Sequence, residues 1–150
     1  MQAALELRIH HGDTEGTENS LLLRQLLYMS LDLTHEIIGA SIDVHRALGL
    51  GLLESAYERC LSLELSLRGI PFERQLELPI YYKGQAVDCS YRIDLLVARA
   101  VVLEIKAVET VLPIHEAQLL TYLKLGGWHL GLLINFNVPV LTHGIRRRIL

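Results

Sequence analysis

A chain of 150 residues, 51% of them hydrophobic, is sized for one domain with a real core, because a chain of that length buries about 70% of the surface it exposes when unfolded. The formal net charge of −3 supplies no global basic field, so any polyanionic partner must be held by a local arrangement of groups. Cys60 and Cys89 lie far apart without CxxC spacing, which argues against a disulfide framework, a four-cysteine zinc site and an iron–sulfur cluster held within one chain.

In chain order, residues 1–30 look least domain-like: HHGDTEGTENS reads as a polar, Gly-punctuated loop and LLLRQLLYMSL as an apolar run without clean periodicity. We therefore expect an N-terminal arm or extension over 1–30 and a domain over 31–150. His10 and His11 read as loop residues, since no carboxylate or thiol spacing completes a metal set. The N-terminus lacks a basic segment followed by an apolar one, and no later run reaches the length of a membrane span; the expectation is a cytoplasmic protein with no membrane partner.

From Thr34 the spacing becomes helical, with Ile37, Ile38, Ser41, Ile42, Val44, His45 and Leu48 recurring up to the breaker GLG at 49–51. A second helix, LLESAYERCLSLELSLR, runs on to Gly69 and Pro71, dense enough in apolar positions to lie against a sheet. After Pro71 the period switches to two. QLELPIYYKG, QAVDCSYRIDLLVARA and AVVLEIKAV predict an antiparallel meander. LPIHEAQLLTYLKLGG reads as a helix with Pro113 in its first turn and Gly126 at its stop. WHLGLLINFN follows as a strand covered on both faces. Strand, helix and strand imply a right-handed parallel crossover in one sheet. VPVLTHGIRRRIL ends the chain as an edge strand or arm, and its basic run Arg146, Arg147 and Arg148 reads as solvated tail rather than phosphate-binding strip.

A hairpin with a three-residue loop at Ala98, Arg99 and Ala100 would set Val97 opposite Val101, Leu96 opposite Val102, Leu95 opposite Leu103 and Asp94 opposite Glu104. Ile93 would then meet Ile105, and Arg92 would meet Lys106. Alternation sends Arg92, Asp94, Glu104 and Lys106 to one face, with Ile93, Leu95, Leu103 and Ile105 packed on the other. Opposed carboxylates repel, and a hard divalent cation would relieve that repulsion. The same spacing also permits Arg92 to pair diagonally with Glu104, and Lys106 with Asp94, in a neutral charge lattice on an exposed sheet face.

The pattern Asp94, Glu104, Ile105, Lys106 resembles the catalytic signature of the PD-(D/E)XK nuclease superfamily, and GLLESAY at 51–57 resembles the name motif of the GxxExxY family within it. LTHEIIGASIDVHRALG, LPIYYKG, HEAQLLTYLKL and GLLINFNVP stand in the order that resemblance requires, from about Leu33 to Ile145. It implies an α/β fold of three layers, a restriction-endonuclease-like core whose central mixed sheet is flanked by helices. It implies a Mg²⁺- or Mn²⁺-dependent nuclease acting on nucleic acid, with DNA as the expected substrate, and a homodimer as the arrangement suited to a double-strand cut. The alternative is a nuclease-like module that binds nucleic acid or a protein partner without turnover.

Carried onto this chain, the resemblance makes Asp94 and Glu104 metal ligands, with the carbonyl oxygen of Ile105 as an additional one and Glu54 completing the shell directly or through water. Lys106 would position the attacking water or offset transition-state charge. Glu54 is equally suited to a first helical turn, where an acid favours the helix dipole if Gly51 is the N-cap. Tyr57 shares the face of Glu54 and either orients it or packs as a core aromatic. On the later helix Gln118 is the stronger site candidate and Tyr122 the weaker, while His115 near the helix start reads as a capping or surface residue.

Overall fold

In a computed structural model, which describes residues 2–150 and side chains from residue 16 onward, the alternation after Pro71 becomes the backbone of the fold. Strands β1 (Phe72–Tyr82), β2 (Gln85–Val97) and β3 (Val101–Lys106) form the meander. Helix α3 (Pro113–Gly126) then returns the chain so that β4 (Leu130–Asn135) lies parallel to β3, and β5 (Ile145–Ile149) closes the sheet antiparallel to β4. The spatial order β1-β2-β3-β4-β5 follows the sequence order. With helices α1 (Gln2–Leu48) and α2 (Glu54–Leu67) completing the set, this is the α/β architecture with a central mixed sheet that the sequence implies.

Both faces of β3 are covered, since every residue from Val101 to Ile105 is buried. On the α3 side Val102 and Leu133 pack with Leu78, Ile93 and Leu96 against Leu119, Tyr122 and Leu123. Gly131 permits this approach: a Cβ there would stand 2.7 Å from Leu119 Cδ1. Alternation turns Leu103, Ile105, Leu132 and Ile134, all buried, to the opposite face, where α2 meets β3. The alternative of a charge lattice on an exposed face does not fit this strand, whose residues Val101–Ile105 are all buried.

The chain divides into two compact units, one up to His35 and the other Glu36–Leu150. In the first, the stretch expected to be a loop is helical, because α1 runs from Gln2 without a break. Glycine costs a helix about 1 kcal/mol relative to alanine without forbidding it, and Gly12 and Gly16 do not end α1. The side chains of His10 and His11 lie outside the described residues. From residue 16 to 29 every side chain is exposed, including Leu21, Leu22, Leu23, Leu26, Leu27, Tyr28 and Met29. No helix among the described residues is long and apolar enough to cross a membrane.

In the second unit, Arg68 at the end of α2 binds Glu36 (3.1 Å) and Asp43 (2.7 Å) of α1 as well as Glu64 (3.0 Å) of its own helix. The α1–α2 loop turns through Gly49 (φ +71°) and Gly51 (φ +88°), a left-handed backbone that glycine adopts without a Cβ penalty. Tyr57, fully buried and stacked on Phe136 at 4.6 Å, donates its hydroxyl to the Gly49 carbonyl (2.6 Å) and accepts from the Leu52 N–H (3.3 Å). Gly51 and Tyr57 of GLLESAY thus take part in the loop that closes immediately before α2. Tyr57→Phe, which keeps the stacking and removes both bonds, is expected to lower unfolding free energy in urea by about 1–2 kcal/mol, with unchanged far-UV circular dichroism.

Candidate active site

The β2–β3 ladder pairs Val97 with Val101, Leu96 with Val102 and Leu95 with Leu103, and there it stops. Beyond it the carboxylates take over the backbone donors. Asp94 Oδ2 accepts the N–H of Ile105 at 2.8 Å, and Glu104 Oε1 accepts the N–H of Asp94 at 3.3 Å. Side-chain acceptors displace main-chain carbonyls at this step, so the continued pairings of Ile93 with Ile105 and Arg92 with Lys106 do not form. On its other edge β3 stays paired with β4 as far as Lys106 and Asn135. The sheet therefore splits on one side only, and the split opens at Asp94 and Glu104.

Burial sets the electrostatics of that split. Glu104 is 5% exposed, and its pKa is pushed up to about 8, first by burial and then by the charge of Asp94. Asp94 is raised as well, chiefly by burial; the Ile105 N–H opposes the shift, Glu58 adds to it, Lys106 opposes it and Glu54 adds to it. Lys106 lowers the pKa of both carboxylates, yet its ammonium makes no ion pair or hydrogen bond among the described residues. The exposed charge lattice is absent: Arg92 reaches Glu77 on β1 at 3.7 Å, and Glu104 is not on a solvated face.

Helix α2 delivers the next carboxylates. Its N-cap is Leu53 rather than Gly51, which makes Glu54 the first helical residue. Glu54 Oε1 accepts from the N–H of Ala107 at 3.4 Å, immediately after Lys106. With Leu53, Ser55, Glu58, Gln75 and Asp94 it lines a cleft of about 460 Å³. Tyr57 does not bond Glu54, because its hydroxyl is committed to the α1–α2 loop. It is a core aromatic.

Tyr122 is buried and Gln118 half-buried, although both line one cleft. Tyr122 is 4% exposed, and its pKa is pushed up to about 12 by burial and then by Glu104, Asp94 and Tyr91, which places it beside the carboxylates. Gln118 lines a different cleft, of about 260 Å³, with Tyr91, Ile114, His115, Thr121 and Tyr122 among its walls. His115 Nδ1 accepts the N–H of Leu112 at 3.0 Å, the capping role expected of it. Arg146 and Arg148 pair with Glu116 at 3.7 and 2.6 Å, so part of the basic run is tied to α3 rather than free.

Two residues of the site were not singled out in the sequence. Glu58 is one helical turn beyond Glu54 on α2, a spacing that puts it on the same face, and it is buried at 6% exposure. Asn135, 2% exposed, accepts from the N–H groups of Val108 (3.1 Å) and Asn137 (3.2 Å) and donates to the Val108 carbonyl (2.9 Å), fixing the chain that leaves Lys106. The only sequence signal for Asn135 is a polar residue inside the apolar run LLINF.

Among the described residues no three His, Cys, Asp or Glu side chains cluster closely enough to enclose a cation. Asp94 and Glu104 form a two-carboxylate set instead, with each carboxylate tied to the backbone through one oxygen. Such an all-oxygen, incomplete set fits a hard divalent ion that keeps several water ligands.

Residues 31–148 match the family model of the PD-(D/E)XK nuclease superfamily. No curated protein and no solved structure matches the chain.

The folded protein retains the Glu104 proton up to about pH 8, whereas an unfolded glutamate releases it near pH 4.3. Between those values the folded state holds the extra proton, so the contribution of Glu104 to stability is full below pH 4.3 and lost as pH rises through 8. Glu104→Gln removes this loss. In metal-free buffer the variant and the native protein should unfold at similar urea concentrations at pH 4.5, and the variant should be the more stable by about 1–3 kcal/mol at pH 9.

Proposed function

We propose that this chain, which belongs to the PD-(D/E)XK nuclease superfamily, is a divalent-metal-dependent nuclease that hydrolyses phosphodiester bonds in DNA, and that GLLESAY places it in the GxxExxY family of that superfamily. The observation that carries the reading is the convergence of Asp94 and Glu104 where the β2–β3 ladder ends, with the unpaired ammonium of Lys106 acting on both. Two neighbouring carboxylates whose pKa values are both raised by burial, with Asp94 raising that of Glu104 further, are an unfavourable arrangement unless a cation is to share them.

Asp94 and Glu104 would hold Mg²⁺ or Mn²⁺, with the carbonyl oxygen of Ile105 and a water-mediated contact from Glu54 as further ligands. Such an ion supplies Lewis-acid polarisation of a phosphoryl oxygen and a more acidic water. The chain's own residues supply position and charge. The Ile105 N–H holds one oxygen of Asp94 in place, which leaves the other directed elsewhere. Lys106, held on β3 by pairing with Asn135, presents a cation to offset the charge that develops on the phosphoryl group. Tyr122 closes the α3 side of the carboxylate pair against water. Gln118, in the neighbouring cleft, is suited to contact the substrate strand rather than the reacting phosphate.

The second reading, a nuclease-like module that binds nucleic acid or protein without turnover, is favoured by one observation: no three-residue acidic cluster exists among the described residues.

Purified protein incubated with labelled single-stranded, duplex and branched DNA in Mg²⁺ or Mn²⁺ is expected to cleave at least one of them, with Glu104→Ala and Lys106→Ala each slowing the reaction by about 100-fold or more. Mn²⁺ at 100 times its dissociation constant should also stabilise the native protein by about 2.7 kcal/mol, read as a rise in melting temperature that Glu104→Ala abolishes. Equal cleavage by all three proteins would count against catalysis at Glu104 and Lys106, and no cleavage with no metal-dependent stabilisation would favour the second reading.

A further inference from the structure

Resting on the nuclease reading, we infer that Gln75 is a positioning residue: its carboxamide, anchored on the buried Glu58, steers the free oxygen of Asp94, and the backbone of β1 is held in a strained conformation to put it there.

Three independent observations converge on Gln75. In β1 it has φ +50°, the left-handed region that costs a non-glycine residue about 1 kcal/mol or more. In the β1–β2 ladder Arg74 pairs with Leu95 and Leu76 with Ile93, so Gln75 and Asp94 stand opposite each other by count and drop out of the pairing together. Its Nε2 donates to Glu58 Oε1 at 2.6 Å and lies 3.4 Å from Asp94 Oδ1. The other Asp94 oxygen, Oδ2, is the one held by the Ile105 N–H.

The strain has a geometric purpose. In a regular strand consecutive side chains project to opposite faces, and Gln75 would point away from its neighbour. Yet Arg74 Nη2 and Gln75 Nε2 both reach the same Glu58 carboxylate, at 3.4 and 2.6 Å. The left-handed residue brings two adjacent side chains to one acceptor. Glu58, at 6% exposure, gives that acceptor a fixed position, and the second N–H of the Gln75 amide is thereby aimed at Asp94. A residue chosen for stability alone at this position would be glycine, which adopts the same backbone without strain.

Glycine also provides the test. Gln75→Gly keeps the backbone conformation and deletes the carboxamide; relief of strain and loss of the bond to Glu58 oppose each other, and we expect its melting temperature to stay within a few degrees of the native protein's. We expect kcat to fall at least tenfold and the Mn²⁺ concentration for half-maximal activity to rise several-fold. A purely structural bond between positions 58 and 75 is separated by the swap Glu58→Gln with Gln75→Glu, which restores a bond of reversed polarity but sets a carboxylate against Asp94. The swap should recover stability relative to Glu58→Gln alone without recovering activity. Full activity and unchanged Mn²⁺ dependence in Gln75→Gly would overturn the inference while leaving the nuclease reading intact, as would recovery of activity by the swap. A native protein that neither cleaves DNA nor binds Mn²⁺ would overturn both.

Discussion

Everything at the split in the sheet depends on two acids sharing a low-dielectric space. Asp94 and Glu104 each accept a backbone N–H where the β2–β3 ladder ends, and side-chain acceptors there take the place of continued strand pairing. The neighbouring features are responses to the same charge. Lys106 lowers both pKa values, Tyr122 on α3 has its own pKa raised by both acids, and α2 contributes Glu54 and Glu58 to the cleft that Asp94 also lines. A site of this kind is poised rather than relaxed, since isolated buried carboxylates gain stability only by keeping a proton or by acquiring a positive partner.

Strand alternation and turn spacing made most of the fold legible. The loop at 98–100, the first three cross-strand pairs, the covered strand at 130–135 and the crossover helix all appear where period and punctuation put them. Register brought Asp94 and Glu104 opposite each other, and the resemblance of the pattern to the superfamily signature singled them out. What failed was the assumption that register continues: a carboxylate can capture a main-chain donor at short range, and no periodicity records that competition. The apolar run around Glu104 and Lys106 already suggests a buried strand, and Val101–Ile105 are buried, with Val102 packed in the cluster that α3 covers.

Local motifs were less informative about role than about position. The tyrosine of GLLESAY stands on the face expected of it but spends its hydroxyl on the preceding loop, a partner eight residues upstream that helical spacing does not suggest. Tyr122, and not Gln118, is buried and feels the charge of Glu104 and Asp94, and burial is not encoded in a four-residue spacing. The polar N-terminal stretch joined α1 because glycine and short polar residues weaken a helix without terminating it.

The outer strand β1 has a consequence for life in a crowded solution. Its free edge is a template on which another chain's strand can add, and its far end carries the exposed rings of Tyr81 and Tyr82. Pro79 removes an N–H from the strand, the register shifts between Pro79 and Tyr81, Gln75 leaves the regular conformation, and Glu73 and Glu77 are exposed along its length. No run of four residues is left both regular and uncharged between Phe72 and Tyr82. The irregularity beside the acidic cleft therefore also makes this edge a poor template for the strand of a second copy.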